Sequence, residues 1–409
     1  MLARVAAVAR SRGGEASTQQ VLVIGAGMAG LAAATYLERN GVSALVLEAS
    51  NRIGGRLETR EISGFLADRG FAVILEDYPE LRRLFKPSEL NLSRFYPGLY
   101  LDMPDGSRAL LSDPRRIPGT FAETVKVLRK LVASPRIPNR ATSHPLDLAR
   151  LFSMAPEPLE TYLLAPFARA VTLDETLAAP VKLGSFLARR FLGGPASLPV
   201  SGVKELPEIL AAKLKVQLGT RVESIASGSV RLEGGEVIET EWIVVAADPA
   251  GAASLLGFSQ PPMADQGYAY FLAPERPLDL PAVYVPHRGR PIYTVAVITD
   301  AAPSYRLGDD PRHLVSISFS PEISATEMRR ELGDLFPSFS SWEEIESAVI
   351  KAALPRSSTR LPLVYAKGVV LAGDYLASPT LNGAIESGRR AAELVMAAVY
   401  AKNKAREQS

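Results

Sequence analysis

A glycine-rich turn between an apolar strand and an alanine-rich helix restricts the fold of this chain more than any other feature. The segment VLVIGAGMAGLAAATYLERNG starts at Val21 and contains the spacing G-x-G-x-x-G. Four consecutive apolar residues are typical of a parallel strand that is buried on both faces, and Asn40–Gly41 is a normal helix C-terminus. The following run, VSALVLE, predicts a second strand that ends at Glu48.

Each part of this unit has a physical task in binding a dinucleotide. Gly25 permits the tight turn, Gly27 lets the backbone approach a pyrophosphate, and Gly30 lets the helix pack closely on the strand. The helix N-terminus offers free N–H groups and the positive end of the helix dipole. Glu48 can accept hydrogen bonds from the adenosine ribose, and it disfavours the 2′-phosphate of NADP. These residues alone leave NAD and FAD both open.

The composition indicates where the reactivity must come from. The 409 residues include no cysteine and three histidines, and the net charge is +2. The absence of cysteine excludes disulfides, thiol nucleophiles, iron–sulfur clusters and a cysteinyl link to a cofactor. Three scattered histidines do not favour a metal site, so no metal is predicted. A basic face with interleaved aromatic residues, which is typical of nucleic-acid binding, is not visible in the sequence. We therefore expect an organic cofactor to supply the chemistry.

The residues that follow the second strand, EASNRIGGRLETR, resemble a known family pattern. They match the E-A-x-x-R-x-G-G-R run of the flavin-containing amine oxidase and phytoene desaturase superfamily. In that superfamily the segment wraps the pyrophosphate and flavin of FAD, so the resemblance implies FAD as the cofactor. Arg56 can neutralise a diphosphate with its fork of donors. Since no cysteine is present, the FAD should be bound without a covalent link.

Three later segments strengthen the resemblance. GFLADRGFAVI is similar to the D-x-G segment beside the isoalloxazine, VQLGTRVESI to the strand that contacts adenine, and GVVLAGDYLASPTLNGAIESG to the closing motif. In the closing motif, Asp374 would bond the ribityl hydroxyls, and the amides of Ala384 and Ile385 would face flavin N1 and O2. The implied cofactor-binding residues are Gly25, Ala26, Gly27, Met28, Ala29, Gly30, Glu48, Ala49, Arg52, Gly54, Gly55, Arg56, Gly70, Phe71, Val222, Gly373, Asp374, Gly383, Ala384 and Ile385.

The resemblance implies an α/β fold, a Rossmann-like (GR2-type) FAD-binding domain with an inserted α+β substrate-binding domain. The expected FAD-binding domain is discontinuous and comprises residues 21–85, 200–255 and 362–405. The expected substrate-binding domain comprises residues 86–199 and 256–361. Residues 1–20 form an N-terminal extension that is either an organellar transit segment or an ordinary bacterial terminus. The chain is expected to be soluble or peripheral to a membrane, in the cytoplasm or an organelle.

Departures from the family pattern bear on the substrate. Amine-oxidising members keep a lysine near flavin N5, yet no lysine occurs between Lys215 and Lys351. Thr380 stands where they keep a cage tyrosine, and Tyr375 is the nearest aromatic residue. With Phe71, these two residues are the substrate-side candidates, and no catalytic residue is assigned.

The segment SLPVSGVKELPEIL and the closing GDY look more like the desaturase branch. We therefore expect an FAD-dependent oxidoreductase that takes a hydride onto flavin N5 from a hydrophobic small molecule, of isoprenoid or carotenoid type, by desaturation or isomerisation. The alternatives are amine oxidation, protoporphyrinogen oxidation and, from another class, a lipid-binding module similar to the Rab GDP-dissociation inhibitors. The sequence does not define an oligomeric state.

One stretch is locally basic. Between Arg108 and Arg150 there are nine Lys and Arg against three Asp and Glu. Within it, TFAETVKVLRKLVA predicts an amphipathic helix with Lys126, Arg129 and Lys130 near its apolar side. The expected apolar stripe comprises Phe121, Val125, Leu128 and Leu131. A core helix with a solvated basic face is the ordinary interpretation, and contact with an anionic membrane surface is the alternative.

Overall fold

The computed structural model describes residues 19–117, 119–132, 147–356 and 361–407. The predicted extension 1–20 lies almost wholly outside these residues, as does part of the basic stretch. The strands are β1 Gln19–Ile24, β2 Ala44–Leu47, β3 Thr59–Ile62, β4 Phe65–Asp68, β5 Ile74–Leu75, β6 Leu92–Arg94, β7 Gly98–Asp102, β8 Arg108–Ser112, β9 Ala196–Pro199, β10 Lys215–Gln217, β11 Val222–Ala226, β12 Ser229–Leu232, β13 Val237–Val245, β14 Met263–Ala273, β15 Val283–Val285, β16 Ile292–Val297, β17 His313–Phe319, β18 Glu343–Pro355, β19 Val364–Ala366 and β20 Val369–Leu371.

Helices alternate with these strands along the chain, as in an α/β fold. They are α1 Met28–Arg39, α2 Pro79–Leu84, α3 Phe121–Val132, α4 Leu148–Phe152, α5 Glu157–Leu159, α6 Ala165–Thr172, α7 Val181–Gly193, α8 Glu205–Ala211, α9 Pro249–Leu256, α10 Ile298–Ala301, α11 Ala325–Leu335 and α12 Leu381–Glu407.

An eight-stranded sheet contains the predicted dinucleotide unit. Its strands run in the order β10-β2-β1-β13, and from β13 the sheet continues both to β20 and to the antiparallel pair β12-β11. β1 is parallel to β2 and β13, with Val21, Leu22 and Val23 completely buried. Helices α1 and α12 pack on one face, while β11, β12 and α9 contribute to the core on the other. The prediction of a parallel strand buried on both faces is confirmed.

Helix α1 also ends where the sequence predicts. Its last residue is Arg39, and Asn40 is the C-cap. Gly41 follows with φ +75°, a left-handed conformation that glycine adopts without steric cost. The strand, turn, helix and second strand of the opening motif are therefore all present.

A second, mostly antiparallel sheet has seven strands in the order β18-β14-β17-β16-β15-β7-β8. Its residues come from two parts of the chain, 98–112 and 263–355, which interrupt the first sheet in sequence. One face packs on α11 through an apolar core, and the other packs towards the β3-β4 hairpin. The α/β fold class is confirmed, while the exact domain boundaries stay a prediction.

The basic helix α3 forms, and its predicted apolar stripe is buried only in part, with Val125 and Leu128 half-buried. Thr124 and Val127 are buried, and Val127 packs with Leu101 and Met103. Phe121, which the stripe placed in the core, is 68% exposed because it lies in the first turn of the helix. The side chain of Leu131 lies outside the described part. Within the described ranges, no helix combines the length and apolarity that a membrane crossing requires.

Candidate cofactor-binding site

The glycine turn after β1 is held by very close backbone approaches. Gly25 has φ +106°, and a Cβ on it would lie 2.7 Å from the carbonyl oxygen of Ala246. A Cβ on Gly30 would lie only 1.9 Å from the carbonyl oxygen of Gly25. The turn and the close helix packing that the sequence predicts therefore both require glycine.

Gly27 differs from its two neighbours in the motif. A Cβ built on it meets no described atom within 4 Å, so this backbone faces open space at the start of α1. The second glycine segment borders that space: the Gly54 N–H donates to the Ala26 carbonyl at 2.8 Å, and a Cβ on Gly55 would lie 3.3 Å from Gly27 Cα. Bare backbone from two segments thus forms a cradle that a bulky anion can approach.

Glu48 connects these segments. Its Oε2 accepts a hydrogen bond from the Ala26 N–H at 2.8 Å, and its Oε1 accepts from the N–H and the hydroxyl of Ser50 at 2.9 and 2.7 Å. The carboxylate therefore fixes the glycine turn in addition to any bond with a ribose. The ribose contact itself stays a prediction.

The strand predicted to contact adenine lies beside Glu48. The Thr220 N–H donates to the Glu48 carbonyl at 2.8 Å, and the next strand begins at Val222, which is buried against Leu47 and Ile24. The structure thus places Glu48 and Val222 at the same edge of the sheet. Ala49 is exposed next to them.

Arg52 binds its own loop. It donates to the Gly55 carbonyl at 2.9 Å and forms an ion pair with Glu58 at 2.9 Å. In this structure its guanidinium stabilises the loop that carries Gly54 and Gly55, and a contact of Arg52 with the cofactor stays a prediction.

Arg56 and Asp374, predicted for two different parts of FAD, contact each other. Arg56 Nη2 lies 2.8 Å from Asp374 Oδ1, and Arg56 also donates to the Ala353 carbonyl at 3.1 Å. Asp374 is 3% exposed and follows β20. Burial lowers the pKa of Arg56, but the Asp374 carboxylate outweighs that effect and holds the pKa above its ordinary value. The two residues form one ion-paired centre that joins the segment after Gly55 to the closing motif.

The closing motif is packed as tightly as the first. The Gly373 N–H donates to the Ser387 hydroxyl at 2.8 Å, and a Cβ on Gly383 would lie 2.0 Å from the Ser378 carbonyl oxygen. A Cβ on Gly388 would lie 2.2 Å from the carbonyl oxygen of Ala29, which brings α12 onto α1. Met28 and Ala29 are buried in the same core.

Thr380, Ala384 and Ile385 lie at or next to the start of α12. Thr380 caps the helix: its hydroxyl accepts from the Gly383 N–H at 3.0 Å, and its carbonyl accepts from the Ala384 N–H at 3.0 Å. Thr380 thus caps the helix, and a substrate contact for it stays a prediction. The Ala384 amide is bonded to the Thr380 carbonyl, and Ile385 is fully buried. The contact of these two amides with flavin N1 and O2 stays a prediction.

Tyr375 is completely buried, and a Cβ on Gly373 would lie 2.2 Å from its ring. Its hydroxyl has no hydrogen-bond partner among the described residues, and burial raises its pKa. This placement favours packing at the strand end. A substrate contact for Tyr375 stays a prediction.

Gly70 lies against the second sheet. Its φ is +82°, and a Cβ on it would lie 2.8 Å from Ile350 Cδ1 and 3.1 Å from Gln266 Oε1. Phe71 packs edge-on against Phe95, with ring centroids 6.2 Å apart. The segment predicted to run beside the isoalloxazine therefore contacts β14 and β18 directly, and Gln266 and Ile350 were not identified from the sequence.

A buried carboxylate next to Gly70 was also missed. Asp68 accepts hydrogen bonds from the Thr59 hydroxyl at 2.6 Å, the Tyr305 hydroxyl at 2.8 Å and the Val203 N–H at 3.1 Å. Burial raises the pKa of Asp68, while these hydrogen bonds oppose the shift. The D-x-G pattern was the only sequence signal for it, because its partners lie far away in the chain.

Tyr268 belongs to a neighbouring polar group that the sequence did not reveal. Its hydroxyl donates to Glu346 Oε1 at 2.9 Å and receives a hydrogen bond from Arg60 at 2.9 Å, while Arg60 also pairs with Glu346. This group ties the β3-β4 hairpin to β14 and β18. Among the described residues, no group of three or more His, Asp or Glu is arranged to hold a metal ion.

Comparisons with known proteins agree with this geometry. The sequence model of the family described as "Flavin containing amine oxidoreductase" matches residues 28–274. An L-amino-acid oxidase of Mus musculus is 40% identical over 79 residues, which are 19% of this chain and 12% of that protein. Protoporphyrinogen oxidase 2 of Arabidopsis thaliana is 36% identical over 81 residues, which are 20% of this chain and 16% of that protein. The aligned segments thus cover less than a fifth of either relative.

Among solved structures, a putative protoporphyrinogen oxidase from Exiguobacterium sp. 255-15 is similar to this chain with a TM-score of 0.68. The alignment covers 93% of this chain and 99% of that one at 18% sequence identity. At this identity the likeness concerns the fold alone.

Proposed function

This chain belongs to the family of flavin-containing amine oxidoreductases, and from that premise we propose that it is an FAD-dependent oxidoreductase acting on an apolar substrate. The substrate class we infer is a long hydrophobic molecule of isoprenoid or carotenoid type, which loses a hydride. The observation that carries the substrate part of the proposal is the set of side chains next to Gly70. The cofactor part follows from the family and from the cradle.

The residues of the cradle fit FAD. The open backbone at Gly27 admits a pyrophosphate, the Arg56–Asp374 centre offers both a cation and a carboxylate, and Glu48 stands at the sheet edge that suits an adenosine. When bound, FAD supplies a two-electron acceptor, so the protein needs no nucleophile of its own. The chain has no cysteine, so a thioether link is excluded and we propose non-covalent binding.

The side chains at Gly70 suit an apolar substrate. Gly70 lies next to the aliphatic Ile350 and the uncharged Gln266. The following residue, Phe71, packs its ring against that of Phe95. Lys351 follows Ile350 in β18, but its side chain is 79% exposed and pairs with Asp265 at 2.8 Å. Because side chains alternate across a strand, this lysine lies on the side away from Gly70.

Hydride removal from a C–H bond depends on positioning and on the exclusion of water. Here the chain contributes a buried wall: Tyr268 and Tyr270 are each 2% exposed, and Tyr270 donates to the Gly70 carbonyl. Gln266 is the polar neighbour of Gly70 that can orient a substrate by a single hydrogen bond. Its Nε2 is already bonded to Ser318 at 3.0 Å, so the carbonyl oxygen is the end directed to Gly70.

The cofactor part is tested by purification and by two variants. We expect a yellow protein, and reduced FAD retention in both Glu48→Ala and Arg56→Ala, measured by absorbance and by isothermal titration of FAD into the apoprotein. Glu241→Ala and Arg82→Ala, which change exposed ion-paired residues elsewhere, serve as controls. A colourless protein that cannot be reconstituted with FAD would instead support a lipid-binding module, and unchanged occupancy in both cradle variants would refute the assigned site.

The substrate part is tested by anaerobic flavin reduction. The holoprotein is mixed with carotenoid, quinol-type and porphyrinogen compounds in detergent and, separately, with primary and secondary amines and amino acids. We expect reduction only by the apolar compounds. Rapid reduction by a simple amine would overturn the substrate proposal while leaving the FAD site intact, and reduction by a porphyrinogen alone would replace it with protoporphyrinogen oxidation.

A further inference from the structure

Helix α7 carries a basic side on which Lys182 and Arg189 have no ion pair with any residue that the structure describes. Its exposed residues Lys182, Ser185, Arg189 and Leu192 follow each other at intervals of three and four, which places them on one side of the helix. Leu192 is 59% exposed. A groove of about 250 Å³ runs along this side and is lined by Lys182, Ser185, Phe186 and Arg189, among others.

Helix α3 has a similar side. Phe121 is 68% exposed, the largest exposure of any large hydrophobic residue in the described part of the chain. Lys126 and Arg129 are exposed, while Thr124 and Val127 face the interior. Each helix therefore presents one uncovered apolar side chain together with cations.

The segment that precedes α3 contacts the end of α7. The guanidinium groups of Arg115 and Arg116 both donate to the Leu192 carbonyl, at 2.8 and 3.1 Å. Phe121 follows Arg116 by only five residues. These hydrogen bonds bring the chain just before α3 to the end of α7, and we call the exposed residues of the two helices the α3–α7 surface.

This surface is strongly basic, although the chain as a whole is nearly neutral. Residues 113–132 and 181–193 contain eight Lys and Arg against two Asp and Glu, whereas the whole chain has 46 against 44. Asp113 pairs with Arg115 and Arg116, and Glu123 lies 3.9 Å from Lys126. Arg190 pairs with Asp77, outside these segments, at 2.7 Å. A second copy of the same surface would be repelled by this excess.

We propose that the α3–α7 surface rests on an anionic lipid bilayer, with Phe121 and Leu192 entering the headgroup region and the cations facing lipid phosphates. Basic residues that surround exposed apolar side chains are the combination that binds a peripheral protein to such a membrane. Neither feature alone distinguishes the surface from ordinary solvated helices, but here they occupy the same two helices. The inference does not depend on the reaction proposed above.

Co-sedimentation of the full-length holoprotein with vesicles tests the proposal. We expect binding to vesicles of phosphatidylcholine with phosphatidylglycerol, much weaker binding to phosphatidylcholine alone, and release by 0.5 M NaCl. Each basic residue near such a surface contributes about fivefold to the partition constant, so Lys182→Ala with Arg189→Ala should weaken binding by about 25-fold. Phe121→Ser with Leu192→Ser should also weaken it and leave the salt dependence intact.

Matched controls change the same chemistry elsewhere. Lys215→Ala with Arg231→Ala removes two exposed cations from the first sheet, and Leu307→Ser with Val364→Ser removes two exposed apolar groups. Both controls should bind as the unmodified protein does. Equal binding to both vesicle types, equal loss in the controls, or a preference for RNA or for self-association over vesicles would overturn the proposal.

Discussion

The glycine cradle and the junction around Gly70 are both places where the backbone approaches closely, but they are built differently. In the cradle, Gly25 and Gly30 contact atoms of their own strand, helix and turn, within a few positions or in the neighbouring strand. At the junction, Gly70 contacts Gln266 and Ile350 of another sheet. The cradle also depends on a distant segment, since Gly25 approaches Ala246 after β13 in the same sheet. The two sites differ in that the glycines of the cradle follow a local spacing in the sequence, whereas the junction depends on packing against a second sheet.

Because of this difference, substitutions at the two sites should have different effects. Substitution in the cradle changes either the fold or the space for a ligand, depending on which glycine is replaced. Substitution at the junction changes buried hydrogen bonds between sheets, so its first effect is on stability and on the position of the segment that carries Gly70. Four predictions test the contrast.

The largest effect is expected for Gly30→Ala. The added Cβ would lie 1.9 Å from the Gly25 carbonyl oxygen and 3.2 Å from Ala246 Cβ, so backbone must move. Overpacking of this kind destabilises by about 3 kcal/mol or more. Urea unfolding of the apoprotein should show this loss, together with loss of FAD binding.

Gly27→Ala is the matched control. Its Cβ meets no described atom within 4 Å, and its φ of −74° suits alanine. The apoprotein should lose less than about 1 kcal/mol, while the dissociation constant for FAD should rise by about tenfold or more, because the methyl group occupies the ligand's space. Equal destabilisation by both substitutions would contradict the assignment of Gly27 to ligand contact.

At the junction, Tyr305→Phe should have the next largest effect. It removes the hydroxyl that donates to Asp68 at 2.8 Å and leaves a fully buried carboxyl with one donor fewer. We expect a loss of about 1–3 kcal/mol in the free energy of unfolding.

Tyr400→Phe provides the comparison, since its hydroxyl donates to the Asn40 carbonyl at 2.7 Å on the surface, where Tyr400 is 50% exposed. It should change stability by less than about 0.5 kcal/mol. Similar losses of unfolding free energy in both variants would contradict the idea that burial makes the Tyr305–Asp68 hydrogen bond more stabilising than an exposed one.

The pH dependence of stability should single out Asp68. Burial raises the pKa of its carboxyl above the ordinary 3.8, so in the native protein it keeps a proton at pH values where the unfolded chain has lost it. Between these two pKa values the unfolded state binds fewer protons, and stability falls as pH rises. Asp68→Asn cannot titrate, so the stability advantage of the unmodified protein over this variant should be largest near pH 4.

Urea titrations from pH 4 to 7 on both proteins measure this difference, with about 1.4 kcal/mol expected per unit of pKa shift. A difference that grows with pH would mean that the three donors lower the pKa more than burial raises it. A constant difference would mean that Asp68 ionises in both states at the same pH.

The same contrast explains how far the sequence could be interpreted. The unit from Val21 to Glu48, including the end of α1 at Asn40, was predicted because its signals lie within one continuous segment. The apolar stripe of α3 was predicted only in part: Val125 and Leu128 are half-buried, but Phe121 is 68% exposed, and periodicity alone does not reveal how far each residue of a stripe is covered. The Asp68–Tyr305 bond joins residues 237 positions apart and carries no local signal.

The Arg56–Asp374 contact is an intermediate case. Both residues were identified from motifs at opposite ends of the chain, and the parallel pairing of β20 with β13 brings the second motif to the first. Their separate roles were predicted from the family pattern, but their mutual ion pair follows from the sheet order. Motifs thus identified the members of the cradle, while the topology supplied their contact.

The smallest effect is expected for Lys351→Met. This variant tests which side chains of β18 belong to the junction around Gly70. Lys351 is adjacent in sequence to Ile350, which contacts the Gly70 position, yet its ammonium group pairs with Asp265 on the exposed side of β18. Exposed ion pairs contribute about 0–1 kcal/mol, so unfolding should change by no more than that. The rate of anaerobic flavin reduction and its pH profile should be unchanged, whereas Gln266→Leu, on the Gly70 side, should alter the apparent KM for a substrate. Slower flavin reduction in Lys351→Met, or a shifted pH profile, would place the lysine on the flavin side. Amine oxidation would then be favoured over the oxidation of an apolar substrate.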